Sequence, residues 1–122
     1  MRNAVMALAL MLASASASAE IENKWRLQFS GDADSAGQIT LALAPEGEPA
    51  VTVTVPIAND TSENEVASLV AHRLRLQAGD TYRVERDDGE DVLIKRRPGE
   101  KKFSVVLVEN TVEGVRLNLD EE

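Results

Sequence analysis

Apolar and polar positions alternate along several short segments of the chain, a pattern that predicts β-strands with one buried face. In the segment near residues 24–30, Trp25, Leu27 and Phe29 alternate with polar neighbours. Further strands are predicted near residues 39–43, 51–57, 82–84, 92–94, 103–109 and 115–119. Short turns rather than crossover helices separate these segments, so the strands are expected to pair mainly in antiparallel fashion.

The segment around residues 62–77 changes to a helical period. Its apolar side chains recur at the spacing of one helix face, at Val66, Leu69, Val70 and Leu74. Ser62, followed three positions later by Glu65, forms a capping-box pattern at the predicted start of this helix. One helix is therefore expected, packed on the sheet by that apolar face.

The predicted strand at 103–109 differs from the others because it contains four consecutive apolar residues, Val105 to Val108. Continuous apolar runs are typical of strands buried on both faces, so this strand is expected at the centre of a sheet. The fold class predicted is α+β, with a mainly antiparallel sheet of about seven strands, in a small sandwich or a partly open barrel, and one packed helix.

The first nineteen residues have the composition of an export signal. Arg2 supplies a positive charge, residues 5–13 are apolar, and Ala17-Ser18-Ala19 provides the small residues of a cleavage site. We expect residues 1–19 to be a signal peptide and residues 20–122 to be a single α+β domain, periplasmic or extracellular. A membrane anchor is disfavoured because the apolar run is shorter than the roughly 20 residues that span a bilayer.

Acidic residues dominate the charge of the chain, which is −8 in net terms. Without Arg2, the part expected to be exported holds twelve basic and twenty-one acidic residues, a net charge of −9. A field of this sign repels nucleic acid and anionic membrane surfaces, so both are disfavoured as partners. With no cysteine and one histidine, thiol catalysis and the usual zinc sites are excluded, and no cofactor is expected. No enzymatic activity is expected, and a small hydrolase is the least favoured alternative.

Five basic residues are concentrated around Pro98-Gly99 in this otherwise acidic chain. They are Lys95, Arg96, Arg97, Lys101 and Lys102. A local cationic patch directs docking even where the net charge opposes approach, so these residues are the predicted contacts for an acidic partner or a phosphate-bearing envelope component. The alternative is that they only keep strand ends from pairing with another chain.

Two groups of aspartates are weaker candidates for a metal site. Asp32 and Asp34 begin a loop with calcium-binding spacing, although the later ligand positions of that pattern are not acidic. Asp87, Asp88 and Asp91 crowd the predicted hairpin turn between the strands at 82–84 and 92–94. Exposed turns also favour aspartate for local hydrogen bonding, and that interpretation is preferred for both groups.

The segment from Val51 to Leu74, with alternating Val and Thr followed by Asn59-Asp60-Thr61 and the capped helix, resembles the strand-turn-helix unit of some phage tail-sheath and tail-tube proteins. It covers about a quarter of residues 20–122. The resemblance implies a unit able to support self-assembly by strand pairing, and it assigns no functional residue. Phage tail proteins have no export leader, so the chain departs from the family there.

These observations together favour an exported, non-catalytic binding or assembly module. Its expected partner is a protein or an envelope component, and self-association is a further possibility. The competing hypothesis is a calcium-dependent envelope protein that uses the two aspartate groups.

Overall fold

The computed structural model describes residues 20–122, so the predicted signal peptide lies outside the described residues. The elements, in chain order, are β1 (Lys24–Ser30), β2 (Gly37–Pro45), β3 (Val51–Ile57), α1 (Glu63–Ala78), β4 (Tyr82–Asp87), β5 (Asp91–Arg96), β6 (Phe103–Asn110) and β7 (Arg116–Glu121). Within this part of the chain, no helix is long and apolar enough to cross a membrane.

The seven strands form two antiparallel sheets that are not closed into a barrel, which confirms the predicted α+β class. One sheet has the order β4-β5-β1-β7 and the other has the order β3-β2-β6. In the first sheet, Leu27 of β1 lies opposite Val92 on one side and Leu119 on the other. The buried apolar side chains of both sheets and of the helix belong to one hydrophobic cluster, which is the core of the fold.

The helix α1 begins as the sequence predicts. The Glu65 N–H donates to Ser62 Oγ at 3.3 Å, and the Ser62 N–H donates back to Glu65 Oε1 at 3.5 Å, so the capping box is present. The buried face consists of Val66, Ala67, Val70, Ala71, Leu74 and Ala78. The prediction that Leu69 lies on this face is wrong, since its side chain is 41% exposed and small alanines face the sheets instead.

The helix packs mainly against β3 and β4, which are edge strands of different sheets. It therefore covers the side of the core that lies between the β3 edge of one sheet and the β4 edge of the other. On the opposite side the edge strands are β6 and β7, where Leu107, Leu117 and Leu119 are only partly buried.

The prediction of a central position for the strand at 103–109 is wrong. β6 is the edge strand of the three-stranded sheet, and Val108 is 58% exposed. The register with β2 shifts beside Thr40 and Leu41, which pair with Glu109 and Leu107, so Val108 is the extra residue of a β-bulge. Of the apolar run from Val105 to Val108, Val105 is buried, Val106 and Leu107 are partly buried and Val108 is exposed.

Candidate functional site

A shallow cleft of about 370 Å³ lies where the start of β1 meets the end of β5. Its lining residues are Asn23, Lys24, Lys95, Arg96, Arg97, Pro98 and Glu122. Four of these side chains are cations and one is a carboxylate. We call this feature the basic cleft; it collects positive charge on a chain whose net charge is negative.

Two lysines of the basic cleft face each other across neighbouring strands. Lys24 of β1 lies directly opposite Lys95 of β5 in the antiparallel register. Like charges in this position destabilise a sheet unless an anion lies between them or beside them. Lys95 has such a neighbour in Glu85, whose Oε1 lies 3.3 Å from its Nζ. Among the described residues, Lys24 has no ion-pair partner within 4 Å.

The ion pair between Lys95 and Glu85 favours the ionised form of Glu85. Hydrogen bonding and charge from Lys95 hold the pKa of the Glu85 carboxyl below its usual value, and Arg83 contributes in the same direction. Glu85 is partly exposed, and Lys95 is 37% exposed, so the pair is open to competition by another anion.

The two arginines of the cleft are held by neutral groups. Arg96 donates from Nε to Asn23 Oδ1 at 2.6 Å and from Nη1 to the Glu100 carbonyl at 2.7 Å. Arg97 donates from Nε to the Gly79 carbonyl at 2.8 Å. These hydrogen bonds fix the direction of each guanidinium without neutralising it. Within residues 20–122, neither arginine has a carboxylate within ion-pair distance.

The structure divides the five predicted contact residues. Lys95, Arg96 and Arg97 line the basic cleft, whereas Lys101 and Lys102 are exposed outside its lining. Lys101 pairs with Glu48, with 3.0 Å between Nζ and Oε2. Sequence reasoning missed Lys24, because its position opposite Lys95 depends on the pairing of β1 with β5. Alternation locates each strand but does not specify which strands become neighbours.

The Asp87, Asp88 and Asp91 group is brought together by the hairpin between β4 and β5. Each of the three offers a carboxylate oxygen, and these atoms lie within 4.8 Å of one another. Arg26 also reaches this cluster, with Nη1 at 3.0 Å from Asp87 Oδ2 and 2.6 Å from Asp91 Oδ2. The guanidinium thus already provides the positive charge that clustered carboxylates require.

Arg26 extends this cluster to the end of the chain. Its Nε lies 3.0 Å from Glu122 Oε2, and this pair lowers the pKa of Glu122. The pKa of Arg26 itself is raised, first by Glu122 and then by Asp91 and Asp87. Asp91 is the buried member, with a side chain 6% exposed, and its Oδ1 has no hydrogen-bond partner among the described residues. The arrangement is that of a structural ion-pair cluster.

Asp32 and Asp34 are placed apart from that cluster, beside the start of α1. Asp32 Oδ1 accepts a hydrogen bond from the Glu63 N–H at 3.0 Å, and the Gly31 N–H donates to Glu63 Oε1 at 2.8 Å. The Asp34 N–H donates to the Glu113 carbonyl at 2.8 Å. Asp32 therefore satisfies a free amide at the helix N-terminus, where negative charge is favourable.

A second group of carboxylates, Glu20, Glu22 and Glu121, lies beside the end of β7. Hydrogen bonding and charge from Glu20 raise the pKa of Glu121. All three side chains have substantial contact with solvent, and acidic groups of this kind are common on surfaces without a ligand.

The single histidine, His72, is exposed on the helix. In a comparison with known proteins, no protein-family model matches the chain, and no curated protein matches it.

Proposed function

We propose that this protein is an exported, non-catalytic binding module that captures an acidic segment of another protein in the basic cleft. The observation that carries the proposal is the arrangement of four cations around one cleft, with Lys24 and Lys95 directly opposite each other. An anion placed between them would relieve the repulsion between the two lysines.

The form of the basic cleft supports an extended anionic partner. The cleft is shallow and open, and Lys101 and Lys102 lie beyond it in the segment that follows Pro98-Gly99. A chain of several carboxylates could contact the cleft and this neighbouring segment together. An anionic membrane surface would face much of the acidic remainder of the molecule, whereas a short acidic segment can contact the cleft alone, so a protein segment is favoured as the partner.

The direct test uses a fluorescent peptide of ten glutamates and the protein purified from a periplasmic extract of cells that express the full chain. Binding is followed by fluorescence anisotropy at low and at moderate salt. The wild-type protein is expected to bind, and more weakly as salt screens the charges. Lys24→Glu is expected to weaken binding about tenfold, because it replaces an attraction by a repulsion.

Arg116→Glu is the matched control. It makes the same charge change at the other end of the four-stranded sheet, where Arg116 pairs with Ser30. This variant is expected to bind within about twofold of wild type. Equal losses in both variants would show only a general response to net charge. Binding to anionic vesicles but not to the peptide would indicate that the cleft binds an envelope lipid, and it would overturn the proposed partner.

A further inference from the structure

Among residues 20–122, one hydrogen-bonding edge of β6 is largely open. On one side β6 pairs with β2, and on the other side Glu22 alone of these residues pairs with it, at Phe103. The Glu22 N–H donates to the Phe103 carbonyl at 2.8 Å, and the Phe103 N–H donates to the Glu22 carbonyl at 2.9 Å. Backbone groups alternate in direction along a strand, so those of Val105 and Leu107 point to the same side as those of Phe103. In the described part of the chain they have no strand partner there.

The other three edge strands are protected along their length, whereas β6 is protected at its ends alone, by Glu22 beside Phe103 and by the bulge at Val108 with Glu109 after it. Edge strands normally avoid pairing with further chains by means of charges, proline or a covering element. β4 and β7 carry charged residues along their length, and β3 contains Pro56 and lies against α1. From Phe103 to Val108, β6 has no charge and no proline, and Val105 to Val108 form the apolar run typical of a central strand.

The outer face of the three-stranded sheet adds few charges to this surface. The side chains that alternate outward on its strands are Gln38, Thr40, Ala42, Ala44, Thr52, Thr54, Pro56, Ser104, Val106 and, beyond the bulge, Glu109. Glu109 is the charged member of this set, and it accepts a hydrogen bond from Gln38 Nε2 at 3.0 Å. By contrast, the outer face of the four-stranded sheet carries Arg26 and its carboxylate cluster, together with the pair of Lys95 and Glu85.

We propose that the open edge of β6 pairs with β6 of a second copy of this chain, in antiparallel fashion about a two-fold axis. The two three-stranded sheets would then form one continuous six-stranded sheet. Residues 20–122 carry a net charge of −9, so two copies repel each other over most of their surfaces. This repulsion is weakest where the stretch from Phe103 to Val108, which is uncharged on both copies, meets itself across a two-fold axis.

The free backbone groups determine the register of the pairing. Val105 of one copy and Leu107 of the other exchange backbone hydrogen bonds, so the axis passes beside Val106. The bulge at Val108 bends the end of each β6 strand away from the other copy. Glu22 therefore keeps its place opposite Phe103. The partly buried Val106 of each copy then lies against its counterpart in a pair that is not hydrogen-bonded.

The chain offers a clean test because it has no cysteine. In the Val106→Cys variant, the two thiols would lie across the axis, where the Cα separation of about 4.5 Å allows a disulfide. Under mild oxidation, the variant is expected to form a covalent dimer about tenfold faster than Leu76→Cys, at a concentration where pairing is appreciable. Leu76 is the matched control, because it is 68% exposed on the helix and thus more open to random collision.

The oligomeric state of the protein without cysteine provides a second measurement. Wild type is expected to sediment as a mixture of monomer and dimer whose dimer fraction rises with concentration, and Val106→Lys is expected to remain monomeric. Circular dichroism of both variants shows whether each is folded. Equal crosslinking of Val106→Cys and Leu76→Cys would overturn the proposal, as would a monomeric wild type at millimolar concentration. Crosslinking of Val106→Cys to an extended peptide of another protein, without a homodimer, would overturn it too.

Discussion

Trp25 Nε1 donates a hydrogen bond of 3.0 Å to the carbonyl oxygen of Phe103, and this bond joins the two sheets. Trp25 lies in β1 of the four-stranded sheet, and Phe103 begins β6 of the three-stranded sheet. The same carbonyl accepts the Glu22 N–H, so two donors from the start of the domain converge on one oxygen. Both bonds therefore tie the start of β6 to β1 and to the residues that precede β1.

Replacement of Trp25 tests how much its hydrogen bond to Phe103 stabilises the fold. Trp25→Phe removes the N–H donor and part of a buried ring, so it is expected to lower the free energy of unfolding by about 1–3 kcal/mol. Denaturant unfolding followed by circular dichroism measures the loss, because Trp25 is the only tryptophan and its removal abolishes the main fluorescence signal. Leu76→Ala, at an exposed site, should change the value by less than about 0.5 kcal/mol. An equal loss of stability in Trp25→Phe and Leu76→Ala would argue against a stabilising role for the hydrogen bond between Trp25 and Phe103.

The hydroxyl of Tyr82 gives a prediction of opposite sign. The side chain is 2% exposed and packs on the Phe103 ring, with 4.5 Å between the ring centroids. Its hydroxyl is buried and has no hydrogen-bond partner among the described residues. Tyr82→Phe is therefore expected to raise the free energy of unfolding by up to about 1 kcal/mol. A variant less stable than wild type would mean that the hydroxyl is hydrogen-bonded in solution.

The ionisation of Tyr82 adds a dependence on pH. Burial raises the pKa of Tyr82 from 10.0 to about 12, and the charges of Glu100 and Glu48 act in the same direction. The unfolded chain ionises this group first, so its contribution to stability is complete below pH 10 and is lost as the pH rises through the folded pKa. In thermal melts above pH 10, the midpoint of wild type should therefore fall more steeply with pH than the midpoint of Tyr82→Phe.

Arg26 tests whether the aspartate cluster is an ion-pair cluster or a calcium site. Calorimetric titration of wild type with calcium is expected to give no heat, because the guanidinium already lies among the carboxylates. Arg26→Met should lower the thermal midpoint at neutral pH, since it leaves Asp91 buried without its cation. Binding heat in wild type would instead support the calcium-dependent hypothesis.

The acid dependence of the same variant has a definite sign. Arg26 lowers the pKa of Glu122 below 4.5. This contribution to stability is present above the unfolded pKa and is lost as the pH falls through the folded value. The difference in thermal midpoint between wild type and Arg26→Met should therefore become smaller as the pH falls. Thermal melts at a series of decreasing pH values measure this difference. A constant difference would show that Arg26 acts through packing alone.

Asp32 separates a capping role from a calcium role. Asp32→Ala removes the acceptor of the Glu63 N–H at the start of α1 and is expected to cost about 1 kcal/mol of stability. Chemical denaturation should give the same loss with calcium and with chelator. A loss seen only with calcium present would support the loop as a metal site.

Local patterns in the sequence predicted much of the fold. Alternation around Trp25 located β1, and the spacing of Ser62 and Glu65 located the start of α1, because both patterns depend on neighbours close in the chain. Leu69 was misplaced because the helix turns its alanines to the sheets, which depends on tertiary packing. The position of β6 at an edge was missed for a related reason, since hydrophobicity does not specify the number of strand neighbours.

The candidate site was predicted in part. The cluster around Lys95 was visible from its density of positive charge, but Lys24 joins it from a strand far away in the chain. Likewise, the sequence grouped Asp87 with Asp91 but gave no sign that Arg26 would lie between them. Both omissions come from strand register, which is decided only when distant segments pair.

The pairing of β1 with β7 has a consequence for the order in which the molecule can form. Leu27 reaches its neighbour Leu119 only when the last strand is available, so the four-stranded sheet cannot be completed while the chain is still emerging. Contacts between such distant segments form slowly, because loop closure must precede them. If the protein is exported as we propose, this delay would keep the four-stranded sheet incomplete, and the chain able to pass a translocation pore, until β7 has been synthesised.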